Sequence, residues 1–66
     1  MADEDEVILS YTEFRRLRIG SKVRARNGKT YEFTERGLGY DMWRAEDGDF
    51  RTENRFVLPV TLVHRG

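Results

Sequence analysis

Two Asx-Gly dipeptides, Asn27-Gly28 and Asp47-Gly48, each separate runs in which apolar and polar residues alternate. Few other sequence features restrict a short chain as much, because Asx-Gly readily adopts the positive φ angles of tight hairpin turns and alternation is the period of a half-buried strand. Val23 and Ala25 alternate with Lys22, Arg24 and Arg26 before the first turn, and Tyr31 and Phe33 alternate with Thr30, Glu32 and Thr34 after it. A two-residue loop would put these apolar sets on opposite faces. A three-residue loop, Arg26-Asn27-Gly28 with Gly28 left-handed in a bulge, pairs Val23 with Tyr31 and Ala25 with Lys29 and buries one continuous face. For the second turn a two-residue loop already suffices. It pairs Glu46 with Asp49 and Ala45 with Phe50, setting Trp43, Ala45, Phe50 and Thr52 on one face and Tyr40, Met42, Arg44 and Arg51 on the other.

Upstream, Ser10 and Glu13 stand in the spacing of a capping box, with Thr12 as an alternative cap, and Phe14 and Leu17 share one helical face. A helix over about 11–18, ending near Gly20, follows from this. Val7, Ile8 and Leu9 before it are too few for a helix and suit an edge strand or a hydrophobic staple. The acids Asp3, Glu4, Asp5 and Glu6 suggest that residues 1–6 form a flexible acidic tail ahead of a single domain over 7–66. Gly37-Leu38-Gly39 bends the chain, Glu53 to Phe56 suits a short helical turn, and Pro59 can open a last strand with Val60 and Leu62 inward. Strands are expected at about 21–26, 29–36, 40–46, 49–53 and 60–65. Five short strands joined by tight turns predict a mainly β protein, a small, strongly bent antiparallel five-stranded barrel with a short N-terminal helix.

A chain of 66 residues is one domain, and at this size folding hides only about 60% of the surface that the unfolded chain exposes. Its aromatic share of 12% is that of a chain with a packed core. With no cysteine, neither a disulfide framework nor a thiolate metal site is available. The acidic start is unlike a signal peptide and no apolar run reaches the roughly 20 residues of a membrane span, so a cytoplasmic protein without membrane contact is expected.

The order Gly20-Ser21-Lys22-Val23, Asn27-Gly28-Lys29-Thr30-Tyr31, Asp47-Gly48, a short turn, and Leu58-Pro59-Val60-Thr61-Leu62-Val63 resembles an SH3-like small β-barrel. It also resembles short proteins of actinobacteria and their phages. The likeness covers residues 20–65 and implies a small binding or regulatory module rather than a catalyst. No functional residue is carried over from it.

The residues themselves point the same way. His64 is the single histidine, so no triad or multi-histidine zinc site can form within one chain. Glu46, Asp47 and Asp49 lack the spacing of a calcium loop, and Arg36 with the glycines after it lacks the full phosphate-loop fingerprint. No catalytic residue, metal or cofactor is expected.

Two surfaces remain. Tyr40, Met42, Arg44 and Arg51, predicted to share an outward face, are of the residue types enriched at protein interfaces and are the expected protein-binding residues. The alternative is sequence-independent nucleic-acid binding through Arg15, Arg16, Arg18, Lys22, Arg24 and Arg26, part of a run to Lys29 that contains no acid. Against it, Lys plus Arg and Asp plus Glu number 12 each, so the chain is formally neutral. A protein partner is therefore the first expectation and nucleic acid the second, for a monomer or a homodimer.

Overall fold

The structure is a computed structural model that describes residues 6–66. Of the expected acidic tail, residues 1–5 lie outside the described part, while Glu6 opens a strand. Six strands form one open antiparallel sheet: β1 (Glu6–Ile8), β2 (Lys22–Arg24), β3 (Thr30–Gly37), β4 (Tyr40–Ala45), β5 (Phe50–Thr52) and β6 (Val60–His64). Their order is β1-β6-β2-β3-β4-β5, which makes β1 and β5 the two edges. The sixth strand, beyond the five expected, takes in Val7 and Ile8 of the Val7–Leu9 run and pairs Val7 with Thr61 and Ile8 with Val60. Ile8 is thereby buried, and Val60 and Leu62 point inward as expected.

Helix α1 (Tyr11–Arg15) starts as the capping spacing predicts, with Ser10 Oγ accepting the Glu13 N–H at 3.2 Å. The reciprocal arm is displaced by one residue, because Glu13 Oε1 accepts from Leu9 N–H (3.3 Å) rather than from Ser10. The helix stops short of the expected Arg18. Leu17 N–H turns to the Phe14 carbonyl (3.2 Å) and its side chain enters the core. Arg36 then donates to the carbonyls of Arg15 (3.2 Å) and Leu17 (3.0 Å), giving partners to acceptors that the helix end leaves open.

The first hairpin has the predicted bulged turn. Ala25 N–H donates to Lys29 C=O (2.8 Å), Gly28 N–H to Ala25 C=O (3.0 Å), Gly28 has φ +89°, and Val23 faces Tyr31. The second hairpin departs from the expectation. Ala45 N–H donates to Asp49 C=O (2.7 Å) and Gly48 N–H to Ala45 C=O (3.1 Å), with Gly48 at φ +95°, so the loop has three residues rather than two. Arg44 therefore faces Phe50, Trp43 faces Arg51 and Met42 faces Thr52. The slip by one residue inverts β5: Arg51 turns inward and Phe50 outward.

Side-chain chemistry explains why this arrangement holds. Asp47 Oδ1 accepts the Asp49 N–H (2.9 Å), as Asn27 Oδ1 accepts that of Lys29 (2.9 Å). The Arg51 guanidinium then lies over the rings of Tyr31 (5.1 Å) and Phe56 (5.5 Å) and donates to Asp49 (3.2 Å). The glycines at 37 and 39, read from sequence as a bend, make a hairpin of their own between β3 and β4, with Gly37 opposite Tyr40 and Gly39 at φ +84°. An irregularity between Phe33 and Glu35 offsets that ladder.

The sheet and α1 enclose Phe14, Tyr31, Phe33, Trp43 and Phe56, all within 1% of complete burial. Phe33 stacks on Trp43 at 4.9 Å, and Phe14 meets Trp43 and Phe56 at 4.9 and 5.1 Å. Each such side chain contributes on the order of 2 kcal/mol by leaving water. Phe56 reaches this cluster because a 3-10 turn, Glu53–Arg55, carries the chain from β5 back toward α1.

Candidate protein-binding surface

Which charged groups are free to meet a partner depends on which ones the fold already employs. Glu53 is buried beneath α1, where Oε2 accepts from Arg15 Nε (3.2 Å) and Oε1 accepts from Asp41 N–H (2.9 Å). Burial pushes the Glu53 carboxyl up, but the Asp41 N–H and the Arg15 guanidinium outweigh it and hold the group below its ordinary value. Arg36 pairs with the buried Asp41 at 3.0 Å. Arg15, expected within a basic contact surface, is thus anchored to the core by a carboxylate. The Arg15 side chain stays 56% exposed beside that contact.

A second cluster joins the two Asx-Gly turns. Tyr31, whose side chain is buried, donates its hydroxyl to Asp49 Oδ2 at 2.6 Å, and Lys29 Nζ lies 3.0 Å from Asp47 and 3.6 Å from Asp49. The Tyr31 hydroxyl, followed by Arg51 and Lys29, lowers the Asp49 carboxyl. Asp47 is lowered by the Asp49 backbone N–H and then by Lys29, while the Asp47 contact raises Lys29. Lys29 and Arg51 are consumed here.

Of the remaining basic run, Arg16, Arg18, Lys22, Arg24 and Arg26 are exposed and make no ion pair among the described residues. Lys22 and Arg24 share the outer face of β2, as predicted. Yet Lys22 stands opposite Glu32, and Glu32 stands opposite Arg44 on its other side. The face is therefore of mixed sign across β2, β3 and β4.

On the outer face of β4, Tyr40, Met42 and Arg44 alternate as predicted. Tyr40 is 42% exposed, although its ring lies against Gly37, where even one added carbon would collide with it. Met42 is half-buried and Arg44 exposed. Arg51, the fourth expected member, points to the core and leaves this surface. Phe50 takes its place, 56% exposed, with the Arg44 guanidinium 5.7 Å from its ring centre.

Phe50 is the residue that sequence reasoning missed, and a signal for it existed. Ala25-Arg26-Asn27-Gly28-Lys29 and Ala45-Glu46-Asp47-Gly48-Asp49 share the order Ala, any residue, Asx, Gly, polar. The same local chemistry at both sites calls for the same bulged turn, and that register sends Phe50 outward.

Among the described residues, no group of three or more His, Cys, Asp or Glu is placed to hold a metal ion, and no helix is long and apolar enough to cross a membrane. His64 is exposed at the end of β6, opposite Lys22. No family model, curated protein or solved structure matches the chain.

Proposed function

We propose that this chain is a non-catalytic binding or regulatory module, SH3-like in fold, that docks on a protein partner through the outer face of β4 and β5. The carrying observation is Phe50, an aromatic side chain more than half exposed, set beside Met42 and Arg44 on one sheet face. Aromatic, Met and Arg side chains grouped in this way are the usual anchors of protein interfaces. The exposed cations of β2 and of the segment after α1 orient the partner through their field. The order of two bulged hairpins, a 3-10 turn and a final strand supports the SH3-like reading.

The double variant Met42→Ser with Phe50→Ser tests the assignment. Immobilised wild-type protein should retain a partner from a lysate of its source, and the variant should lose it while its circular dichroism and thermal midpoint stay close to wild type. Unchanged recovery would sink the docking face.

A second reading, binding of nucleic acid, draws on the absence of ion pairs among the described residues at Arg16, Arg18, Lys22, Arg24 and Arg26. It predicts an affinity for any DNA or RNA that falls linearly in log–log plots against salt. Glu32, between Lys22 and Arg44, places a carboxylate in the path of a phosphate chain crossing the sheet. For that reason a protein partner is preferred.

A further inference from the structure

We infer that the free edge of β5 takes up an extended, acidic segment of the partner protein by strand addition. This rests on the docking face proposed above and specifies how it is used. The bond from Ala45 N–H to Asp49 C=O makes residues 45 and 49 a hydrogen-bonded pair. Antiparallel alternation then assigns the next bonded pair to Trp43 and Arg51 and turns the N–H and C=O of Phe50 and the N–H of Thr52 away from β4. No strand lies beyond β5 in the sheet, so these groups line an open edge. An open cleft beside it is lined by Met42, Asp49, Phe50, Arg51, Thr52 and Arg55.

Charge selects the occupant. Two guanidiniums without a carboxylate partner among the described residues stand near the edge, that of Arg55 in the cleft and that of Arg44 one strand further in beside Phe50, while Arg51 turns inward to Asp49. Lys29 shares that same carboxylate. An added strand that sets its acidic side chains on the outer face would meet Arg44 and Arg55, and its alternate apolar side chains would fall on the opposite face, beside the stem of Arg51. A second copy offering its own β5 in the register centred on Arg51 would bring like charges together. A phosphate chain can accept from the outward N–H groups but offers no donor to the outward C=O of Phe50, whereas an extended peptide satisfies both. The other edge contrasts with this one: at β1 the Glu6 carboxylate is bound by Arg65 at 2.7 Å, and the sequence ahead of it is acidic.

Thr52 provides a direct test, since its φ of −82° lies near the range of proline and its N–H faces outward. The probe is a capped synthetic peptide of alternating Glu and Val, titrated into 15N-labelled full-length protein. The amide signals of Phe50 and Thr52 should shift with this peptide and not with a matched Lys–Val peptide. Thr52→Pro should weaken binding by about tenfold or more, because the ring removes a donor and obstructs the edge, whereas Thr52→Val should bind like wild type. N-methylation of alternate peptide residues gives the same test on the unaltered protein, should Thr52→Pro fail to fold. Equal binding of N-methylated and plain peptide, or of the Lys–Val peptide, overturns the inference. So does preferential binding of oligothymidine, which would favour nucleic acid, or self-association abolished by Thr52→Pro, which would make a second copy the occupant. If Phe50→Ser abolishes peptide binding while Thr52→Pro and N-methylation leave it intact, strand addition fails and the docking face stands. If none of these changes alters binding, both fail.

Discussion

The two Asx-Gly hairpins have nearly the same turn and opposite consequences. Each closes with a bond across residues 25 and 29 or 45 and 49, each has a glycine at positive φ, and each ties the Asx carbonyl or carboxylate oxygen to the N–H two residues on. After the first turn, Tyr31 enters the core and Thr30 stays outside. After the second, at the corresponding positions, Arg51 turns inward and Phe50 is left in solvent. The local turn thus outranks the hydrophobicity of single residues. Inverting β5 to bury Phe50 would require a different loop, and would deprive Asp49 of Arg51 and two rings of the guanidinium that covers them.

The largest expected effect separates the two registers. Arg51→Ala should cost about 2 kcal/mol in chemical denaturation, by removing a hydrogen bond to a charged group and two cation–π contacts. Phe50→Ser should stay within about 0.5 kcal/mol. The reverse ranking would mean that the second turn is the two-residue loop after all. Next, Gly28→Ala and Gly48→Ala should each cost roughly 1 kcal/mol, for positive φ alone, since an added Cβ meets nothing within 4 Å at either site. Costs that differ widely would break the equivalence of the turns.

The smallest effect is on pH dependence, and it belongs to the second turn with its partner Lys29. The Asp47 and Asp49 carboxyls sit below their ordinary value of 3.8 when folded, so their contribution is present above that pH and is lost as pH falls through the folded values. Lys29 sits above its ordinary 10.5, so its contribution is present below that pH and is lost as pH rises through the folded value. These side chains face water, so both losses should be slight. Asp47→Asn should flatten both limbs in thermal scans, and a curve unchanged by it would assign the acid limb to Asp49 and Glu53, which are also lowered.

Much of the fold was legible because it is written in neighbouring residues. The Ser10 cap, the bulge at Gly28, the inward Val60 and Leu62 and the helical turn after Thr52 each follow from a few adjacent side chains. The candidate surface was half legible. Tyr40, Met42 and Arg44 follow from alternation within one strand, whereas Arg51 and Phe50 depend on how two strands are matched. The basic run suffered in the same way: nothing near Arg15 in the chain announces Glu53, and nothing near Lys22 announces that Glu32 will stand beside it.

By itself, then, the chain determined its turns, its strand period and the start of its helix, because these depend on backbone preferences and on side chains within a few residues. Tertiary structure alone decided which cations are spent on the core and which face water, that β1 joins the sheet to make a sixth strand, and that β5 keeps an open edge. Those outcomes depend on contacts between residues far apart in sequence, where a shift of one position exchanges the inside of a strand for its outside.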